Sequence, residues 1–423
     1  MYKKISEEML NFIKKSPSVF HSARNIAEEL KNDGFIELTE NKKWNIEKGK
    51  KYYVTRNNSS IIAFKTGRDL DEYSFNIVAS HCDSPTFKIK DNYKVESEKY
   101  IQLNTDKYGG MIYSTWFDRP LSVAGRVIIK SDGGIETKLV NIDRDLIVIP
   151  NVAIHMNKEA NSSMKYNEQV DLLPLYGSLD VSGDNFMDIV AEYACTEKEK
   201  ILNTDLFLYN RMAPSIWGSR NEFISSSRLD NMQCAYATLK GFIKGNNSKS
   251  VNVYCCFDNE EVGSGTKQGA ASTFLEDVLK RINNNLGKTT EDYYCTLASS
   301  FMISADNAHA VHPNHPEKSD PSNKVYMNKG IVIKHNAAQK YTSDAVSSSV
   351  FQLLCESAGV PFQHYSNRSD IPGGSTLGNI SSLKVSINTV DIGIAQLAMH
   401  SSYETAGVMD TYYMIKVIEE FFS

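Results

Sequence analysis

The chain has 423 residues, of which 41% are hydrophobic and 23% are charged, a composition typical of a soluble globular protein with two domains or one large domain that carries an insertion. The formal net charge of −5, with Lys and Arg mixed among Asp and Glu, argues against nucleic acid or anionic lipid as a partner. No stretch resembles a signal peptide or is long enough to span a bilayer, so we expect a cytoplasmic protein without membrane contact.

The first part of the chain predicts two helices followed by strands. Amphipathic patterns predict helices over residues 6–15 and 22–33, and Gly34 ends the second helix. Runs of β-branched and aromatic residues, separated by Asn, Ser and Gly, predict three strands, over residues 52–57, 60–65 and 75–79.

The middle of the chain has a different pattern. From about residue 91 to residue 204, short extended stretches such as 121–130 and 145–149 alternate with Gly, Asn, Asp and Pro, and long helical patterns are few. This pattern predicts a mostly β insertion.

After residue 205 strands and helices alternate again. Apolar runs predict strands over residues 251–257, 301–305, 362–366 and 385–390. Amphipathic patterns predict helices over residues 231–243, 273–286, 343–358 and 403–422. Strands separated by helices predict an α/β sandwich around a mixed, largely parallel sheet.

The seven cysteines are an odd, scattered set without CxxC spacing. We therefore predict buried free thiols rather than disulfides or a thiolate zinc site. The sequence has no Gly-x-Ser-x-Gly motif, so a serine nucleophile has little support.

Five polar clusters directly follow predicted strands or extended stretches, where ligands bind in open α/β sheets because the loops converge there. The clusters occupy residues 79–85, 226–231, 256–265, 303–309 and 398–404. Together they supply two imidazoles and several carboxylates, the nitrogen and oxygen ligands that suit zinc or a related divalent ion. The candidate residues are His81, Asp83, Asp230, Glu260, Glu261, Asp306 and His400.

Each cluster also has a structural interpretation. His81 could be a buried structural side chain, Asp230 the N-cap of the next helix and Asp306 a turn residue. The adjacent glutamates 260 and 261 could form a solvated acidic turn, but they equally suit two tasks, since one carboxylate can bind a metal ion while its neighbour accepts a proton from water. The histidines between residues 309 and 315 lie in a Pro-rich stretch, which predicts an ordered loop rather than a set of ligands.

Eight motifs, in order along nearly the whole chain, resemble one known family. They are SHCDSP at 80–85, YGGMIYSTWFDRPLSVAGRV at 108–127, IPNVAIHMN at 149–157, SSRLDN at 226–231, DNEEVGS at 258–264, SADNAHAVHPN at 304–314, GGSTLG at 373–378 and QLAMHS at 396–401. The chain resembles the aspartyl aminopeptidases and vacuolar aminopeptidase I, which are dinuclear zinc exopeptidases. The resemblance implies hydrolysis of the N-terminal residue of peptides through a water shared by two metal ions.

The resemblance also implies a set of metal ligands. One ion would be held by His81 and Asp306, the other by Glu261 and His400, and Asp230 would bridge them. The ions would be two Zn²⁺ per subunit, with Co²⁺ or Mn²⁺ as substitutes.

The resemblance to this family also implies roles for four further residues. Glu260 would be the general base and acid, and Asp83 would orient His81. His155 matches a family histidine that enters the active site of a neighbouring subunit. Lys334 lies in the stretch that resembles the substrate pocket of the family, where an ammonium would favour acidic side chains.

The expected architecture is a zinc-exopeptidase-like α/β/α sandwich with an inserted domain. Residues 1–91 and 204–423 would form the catalytic domain, and residues 92–203 would form the dimerisation domain. The family assembles as tetrahedral dodecamers, so the resemblance implies a homo-oligomer built from dimers that acts on peptides.

Alternative functions stay open at this point. A related dinuclear site could deacylate or deacetylate small amides, although the long insertion argues against this reaction. A catalytically silent, oligomeric peptide-binding scaffold is a second alternative, but every expected ligand and the base are present. The preference for acidic or neutral N-terminal residues is also open, because residues 337–340 depart from the usual family pattern and some relatives prefer Leu or other neutral residues.

Overall fold

The computed structural model describes residues 1–181, 183 and 185–423. Within these residues the helices are α1 (Tyr2–Lys14), α2 (Val19–Asn32), α3 (Phe186–Tyr193), α4 (Leu229–Lys244), α5 (Phe274–Asn285), α6 (Thr290–Ala298), α7 (Ala345–Ala358), α8 (Leu377–Ser381) and α9 (Asp410–Phe421). In this part of the chain, no helix combines the length and the apolar character needed to cross a membrane.

The described strands form a nine-stranded, a six-stranded and a five-stranded sheet. In chain order they are β1 (Ile36–Leu38), β2 (Lys51–Arg56), β3 (Ser60–Thr66), β4 (Phe75–His81), β5 (Thr86–Ser97), β6 (Tyr100–Tyr108), β7 (Leu121–Ser131), β8 (Gly134–Asn141), β9 (Leu175–Ser178), β10 (Ile201–Asn210), β11 (Ser215–Trp217), β12 (Phe223–Ser226), β13 (Val251–Phe257), β14 (Phe301–Ala305), β15 (Ala308–His309), β16 (Ile331–His335), β17 (Phe362–Ser366), β18 (Asn388–Gly393), β19 (Ala395–Leu397) and β20 (Glu404–Gly407).

The nine-stranded sheet is the centre of the fold, with the strand order β1-β2-β3-β13-β4-β14-β18-β16-β17. Four central strands, β13, β4, β14 and β18, are parallel to one another, whereas β3 and β16 run antiparallel on either side of them. β13 is buried along its whole length, and all of its residues except Asn252 are hydrophobic. Such a strand suits the middle of a sheet that is covered on both faces, because it needs no polar side.

Two hydrophobic cores cover the two faces of this sheet. One core joins residues of α1, α4 and α9, including Ile13, Phe242 and Ile418. The other joins residues of α5, including Phe274, to the opposite face of the sheet. The predicted α/β sandwich around a mixed, largely parallel sheet is therefore confirmed.

The six-stranded sheet consists of β5 to β10, which are consecutive in the chain, in the order β8-β7-β10-β5-β6-β9. All of its pairings are antiparallel. It has a separate core that includes Phe87, Trp116, Phe186 and Leu206. The predicted mostly β character of this stretch is confirmed, although it also contains α3.

The five-stranded sheet has the strand order β11-β12-β20-β19-β15. It positions the loops that leave the central sheet. β15 follows β14 closely in sequence, and β19 follows β18. The two short strands pair with each other in parallel. β19 also pairs with β20, and β20 pairs with β12. The segments that follow β12, β14 and β18 are therefore held side by side.

Several predicted elements differ from the structure. Residues 145–149 form isolated bridges rather than a strand, with Ile147 opposite Leu121. The helix predicted over residues 403–422 begins only at Asp410, because the preceding residues form β20. None of the predicted helices corresponds to α6, whose N-terminus has a capping box.

All seven cysteines are free, as predicted. Cys195 and Cys295 are exposed, so the prediction of burial is wrong for these two residues.

Candidate metal centre and active site

Three neighbouring parallel strands deliver candidate residues to one edge of the central sheet. β4 ends at His81, β13 ends three residues before Glu260, and β14 ends directly before Asp306. The last residue of β13, Phe257, lies opposite His81 in the parallel register. Because parallel strands end at the same edge of a sheet, the side chains that follow them meet there.

Asp230 and His400 reach the same edge from loops of the five-stranded sheet. Asp230 follows β12 and His400 lies between β19 and β20. Arg228 and His400 have left-handed backbone conformations, with φ of 59° and 66°, and the Asp230–Asn231 peptide bond is cis. Asp230 and Asn231 have non-helical φ and ψ angles. The regular part of α4 therefore begins after them, and Asp230 is not a simple N-cap.

The five predicted metal ligands form two triads that share Asp230. Ligand atoms of His81, Asp230 and Asp306 lie within 4.8 Å of one another, and those of Asp230, Glu261 and His400 do so as well. His81 Nε2 lies 3.7 Å from Asp230 Oδ1 and 3.6 Å from Asp306 Oδ1. His400 Nε2 lies 3.5 Å from Asp230 Oδ2 and 3.4 Å from Glu261 Oε2. The two oxygens of Asp230 thus face different imidazoles.

Two buried carboxylate oxygens at this edge, Asp230 Oδ1 and Glu261 Oε1, have no hydrogen-bond partner among the described residues. A buried polar atom without a partner destabilises the fold unless another group compensates it. Imidazole nitrogens and carboxylate oxygens at these separations suit zinc. The donor set therefore fits divalent cations.

The proton affinities of these side chains indicate a local lack of positive charge. Burial raises the pKa of Glu260 to about 8, and nearby carboxylates such as Asp306 contribute to the rise. Burial and Asp230 raise the pKa of Glu261 well above its ordinary value. Burial alone would lower the pKa of His81. The surrounding carboxylates, of which Glu260 has the largest effect, instead hold the pKa of His81 well above its ordinary value. Divalent cations would supply the missing positive charge.

Asp83 positions the two glutamates as well as His81. His81 Nδ1 lies 3.2 Å from the backbone oxygen of Asp83 and 3.4 Å from its Oδ1. The Asp83 carboxylate also accepts hydrogen bonds from the backbone N–H groups of Glu260 and Glu261, both at 3.1 Å. The Tyr108 hydroxyl donates to the same carboxylate at 2.7 Å. One buried carboxylate therefore links three parts of the site.

The six-stranded sheet and the segment that follows β6 contact the loops that carry Asp83 and His400. Tyr108 is the last residue of β6 and contacts Asp83. In the segment that follows, the backbone N–H of Ile112 donates to the backbone oxygen of His400 at 3.0 Å. The backbone N–H of Ser402 donates to the Thr115 hydroxyl at 2.9 Å. Sequence reasoning missed these contacts, since nothing in the YGG motif indicates its spatial neighbours.

Lys334 is buried beside the triad of His81, Asp230 and Asp306 rather than on the surface. The residue is 2% exposed. Lys334 Nζ donates to the backbone oxygen of Asn307 at 2.8 Å and lies 3.5 Å from Asp306 Oδ2. Burial alone would raise the pKa of Asp306, but Lys334 holds it below its ordinary value. Burial alone would lower the pKa of Lys334, and Asp306 instead raises it.

A cleft of about 300 Å³ opens beside the two triads. Besides the triad residues, the side chains that line the cleft include His309, Lys334, Tyr341, Tyr365 and Met399. The cleft is the space into which a substrate side chain would fit.

The other histidines of the sequence analysis lie away from the cleft. His312 Nδ1 accepts a hydrogen bond from the backbone N–H of Asn314, and His315 lies 3.2 Å from Glu317 Oε1, as in an ordered exposed loop. His155 is exposed and does not belong to the described cleft lining of its own subunit.

Glu404 is a buried carboxylate that the sequence analysis places in a helix without a role. It is 2% exposed, and its Oε2 and Oε1 accept hydrogen bonds from the backbone N–H groups of Asp230 and His400. Burial raises the pKa of Glu404 to about 8, and the nearby Asp230 contributes. The signal that could reveal it is a polar residue four positions after a candidate ligand.

Known proteins match the chain over almost its whole length. The family model described as "Aminopeptidase I zinc metalloprotease (M18)" matches residues 12–422. The "Probable M18 family aminopeptidase 2" of Clostridium novyi (strain NT) is 50% identical over 427 residues, which cover 99% of each chain. The "Aspartyl aminopeptidase" of Dictyostelium discoideum is 38% identical over 463 residues, covering 99% of this chain and 96% of the relative.

A solved structure, the mApe1 dodecamer of S. cerevisiae, has a similar fold. The TM-score is 0.86 at 26% sequence identity, and the match covers 100% of this chain and 97% of the other.

Proposed function

The chain belongs to the aminopeptidase I zinc metalloprotease family (M18), and we propose that the two triads sharing Asp230 are its catalytic metal centre. As a member of this family it is a metalloaminopeptidase, a hydrolase that removes the N-terminal residue of peptides. The observation that carries the proposal is the shared carboxylate, whose two oxygens face His81 and His400.

In this proposal each triad holds one zinc ion, so a subunit holds two. His81 and Asp306 would hold one ion, Glu261 and His400 would hold the other, and Asp230, which belongs to both triads, would be shared. When bound, zinc ions supply Lewis acidity that polarises the scissile carbonyl and lowers the pKa of water. Co²⁺ and Mn²⁺ prefer overlapping sets of ligands and would act as substitutes.

Glu260 is proposed as the general base and acid. It belongs to neither triad that contains Asp230, yet its Oε2 lies 3.9 Å from His81 Nε2. The Glu260 carboxylate therefore lies beside the proposed centre, whereas Asp230 is the residue that the two triads share. Glu260 accepts the proton of the attacking water and returns it to the leaving amine. The hydrogen bonds from Glu260 and Glu261 to Asp83 hold both glutamates in place during these steps.

The size of the cleft supports removal of one residue at a time. Its volume of about 300 Å³ is at the lower end of the range of about 300–1,000 Å³ that ligand pockets occupy. Room of this size suits one side chain rather than a long peptide segment. The carboxylates of the centre would bind the free α-amino group of the substrate.

We propose that the cleft prefers acidic N-terminal residues. Lys334 is a buried cation in the cleft lining. Within the described residues, its hydrogen bond to Asn307 and its ion pair with Asp306 leave at least one of its three N–H groups for a substrate carboxylate. The relative from Dictyostelium discoideum that is named an aspartyl aminopeptidase supports this preference. Asp, Glu, Leu and Lys chromogenic amides test it, and equal kcat/KM for Leu and Asp would contradict it.

We propose further that the chain works as a homo-oligomer in which residues 92–203 form the dimerisation domain and residues 1–91 and 204–423 the catalytic domain. The six-stranded sheet, which extends a few residues beyond these bounds on both sides, from Thr86 to Asn210, has a hydrophobic core of its own. The exposed segment around His155 carries the apolar residues Val152, Ile154 and Met156, of which Met156 is 78% exposed. A segment of this kind suits contact with a second copy, where His155 would stabilise the developing oxyanion.

The expected assembly is a tetrahedral dodecamer, in line with the mApe1 dodecamer. We also propose a cytoplasmic location, because the free thiols fit a reducing compartment.

Metal content and substrate form test the proposed centre together. Purified protein should contain about two zinc ions per subunit by elemental analysis, and it should release only the first residue from peptides with a free α-amino group. The same peptides with an acetylated N-terminus distinguish the deacylase alternative. Release of acetate, or equal cleavage of free and acetylated peptides, would contradict the proposed reaction.

A further inference from the structure

Glu404 connects two loops that are far apart in sequence. Its Oε2 accepts a hydrogen bond from the backbone N–H of Asp230 at 2.9 Å, and its Oε1 accepts one from the backbone N–H of His400 at 2.7 Å. Asp230 belongs to both triads and His400 to one. A single side chain therefore holds the backbone of the shared ligand and of an imidazole ligand.

The sheet topology explains why this position can do so. β12 and β20 pair antiparallel, and Ser226 lies opposite Glu404 in their register. The chain leaves β12 towards Asp230 and enters β20 from His400. Glu404 is the first residue of β20, at the place where the two loops begin to diverge.

The loops need an external restraint at this place. His400 has a left-handed backbone, with φ of 66°, and Arg228 has φ of 59°. This conformation is unfavourable for residues with a side chain, and it persists where the surrounding structure holds it. The hydrogen bond from the His400 N–H to Glu404 supplies such a restraint directly.

A carboxylate is the side chain that this task requires. Both groups that contact Glu404 are N–H donors, and a carboxylate offers two acceptor oxygens. A glutamine of the same shape offers one acceptor and one donor, so its amide N–H₂ would face one of the backbone N–H groups. Replacement by glutamine therefore breaks one of the two hydrogen bonds without removing volume.

We propose that Glu404 is a positioning residue for zinc, which fixes Asp230 and His400 in the geometry that the triad with Glu261 needs. This inference rests on the ligand assignment proposed above. Groups that orient metal ligands typically affect metal affinity by about 10- to 100-fold.

Asp410 provides a matched control. It is also fully buried, and its carboxylate also accepts two backbone hydrogen bonds, from Asn328 at 2.6 Å and from Gly330 at 3.0 Å. It is not a member of either triad. The change from carboxylate to amide is therefore the same in E404Q and D410N, but only Glu404 holds metal ligands.

The test compares wild type, E404Q and D410N by zinc titration against a chromogenic chelator, together with urea unfolding of the zinc-free proteins. We expect E404Q to bind at least one of its two zinc ions about 10- to 100-fold more weakly, because His400 belongs to one triad and Asp230 to both. D410N should bind both ions like wild type. Both variants should unfold at lower urea concentration, because each loses a buried hydrogen bond.

Each other outcome has a defined meaning. Wild-type zinc affinity in folded E404Q, or an equal loss of affinity in D410N, would overturn the role of Glu404. Failure of wild type itself to bind two zinc ions would instead overturn the proposed centre. If E404Q does not fold, E404D replaces it, since the side chain is one methylene shorter and its carboxylate is drawn back from the two N–H groups. Wild-type affinity in E404D would overturn the inference in the same way.

Discussion

Glu260 and Glu261 are neighbours in sequence with different proposed tasks, and single substitutions separate them. Glu260→Gln keeps the size of the side chain but removes its ability to accept a proton. Glu260 also forms a close group with His81 and Glu261, but it lies outside both triads that contain Asp230. In the proposed assignment E260Q should therefore keep its zinc. Glu261→Gln changes a triad member whose Oε2 lies 3.4 Å from His400 Nε2, so E261Q should lose zinc from that triad.

The size of the effect follows from the role of each side chain. Positioned acid–base groups contribute about 10²- to 10⁴-fold to rates. The kcat of E260Q should fall by this factor, which corresponds to about 2.7–5.4 kcal/mol in activation free energy. KM should change much less than kcat, because the remaining cleft residues are unchanged. Added zinc should restore part of the activity of E261Q, whereas it should not restore E260Q.

The assay measures kcat and KM with chromogenic aminoacyl amides, and elemental analysis measures zinc in the same samples. Circular dichroism establishes that both variants are folded. Near-normal turnover of E260Q with its full zinc content would refute the assignment of the base. Loss of zinc from E260Q with retention in E261Q would show that the two glutamates have been assigned in the wrong order.

Three further predictions concern other parts of the molecule. Tyr108→Phe removes the hydroxyl that donates to Asp83 at 2.7 Å and should lower kcat by about 10- to 100-fold; unchanged steady-state kinetics would contradict a positioning role. Burial lowers the pKa of His21 to about 3 in the folded protein, so the unfolded chain binds this proton more tightly. The free energy of unfolding should therefore fall as the pH drops below about 6.5, the ordinary pKa of histidine. The fall should be up to about 1.4 kcal/mol per pH unit and should end near pH 3. His21→Asn should flatten this dependence in urea unfolding between pH 7 and pH 5, and parallel curves would exclude His21 as its source. Met156→Asp places a charge on a side chain that is 78% exposed and should reduce the mass of the assembly in light scattering; an unchanged mass would exclude this segment from the interface.

The central strands were predictable because their sequences are mostly apolar, and the predicted bounds of residues 251–257 and 301–305 agree with β13 and β14. The predicted bounds of residues 362–366 also agree with β17, which is an edge strand with the mixed sequence FQHYS. β20 was not predictable in this way, because Glu404–Gly407 carries little β propensity and its strand character comes from pairing with β12. α6 does have a local signal, the capping box of Thr289 and Asp292, which sequence reasoning passed over.

The candidate ligands were predictable because each follows a strand, and the family motifs add their roles. The structure brings all five together around Asp230. Most of their supporting contacts were not predictable, since Tyr108 contacts Asp83 and Glu404 contacts Asp230, both more than 20 residues away. The contact of Glu404 with His400, four residues away, is the local exception. The ion pair of Lys334 with Asp306 likewise depends on packing between strands that the sequence separates.

The contacts of residues 108–115 connect the six-stranded sheet to the loops that carry the candidate ligands. Tyr108, Ile112 and Thr115 contact Asp83, His400 and Ser402, on both sides of the two triads. Deleting the sheet would leave every ligand in the polypeptide and yet remove three supports of the loops that carry them. The proposed dimerisation domain and the loops that carry the candidate ligands are thus mechanically connected, so a foreign domain in place of the sheet should disturb the candidate metal centre.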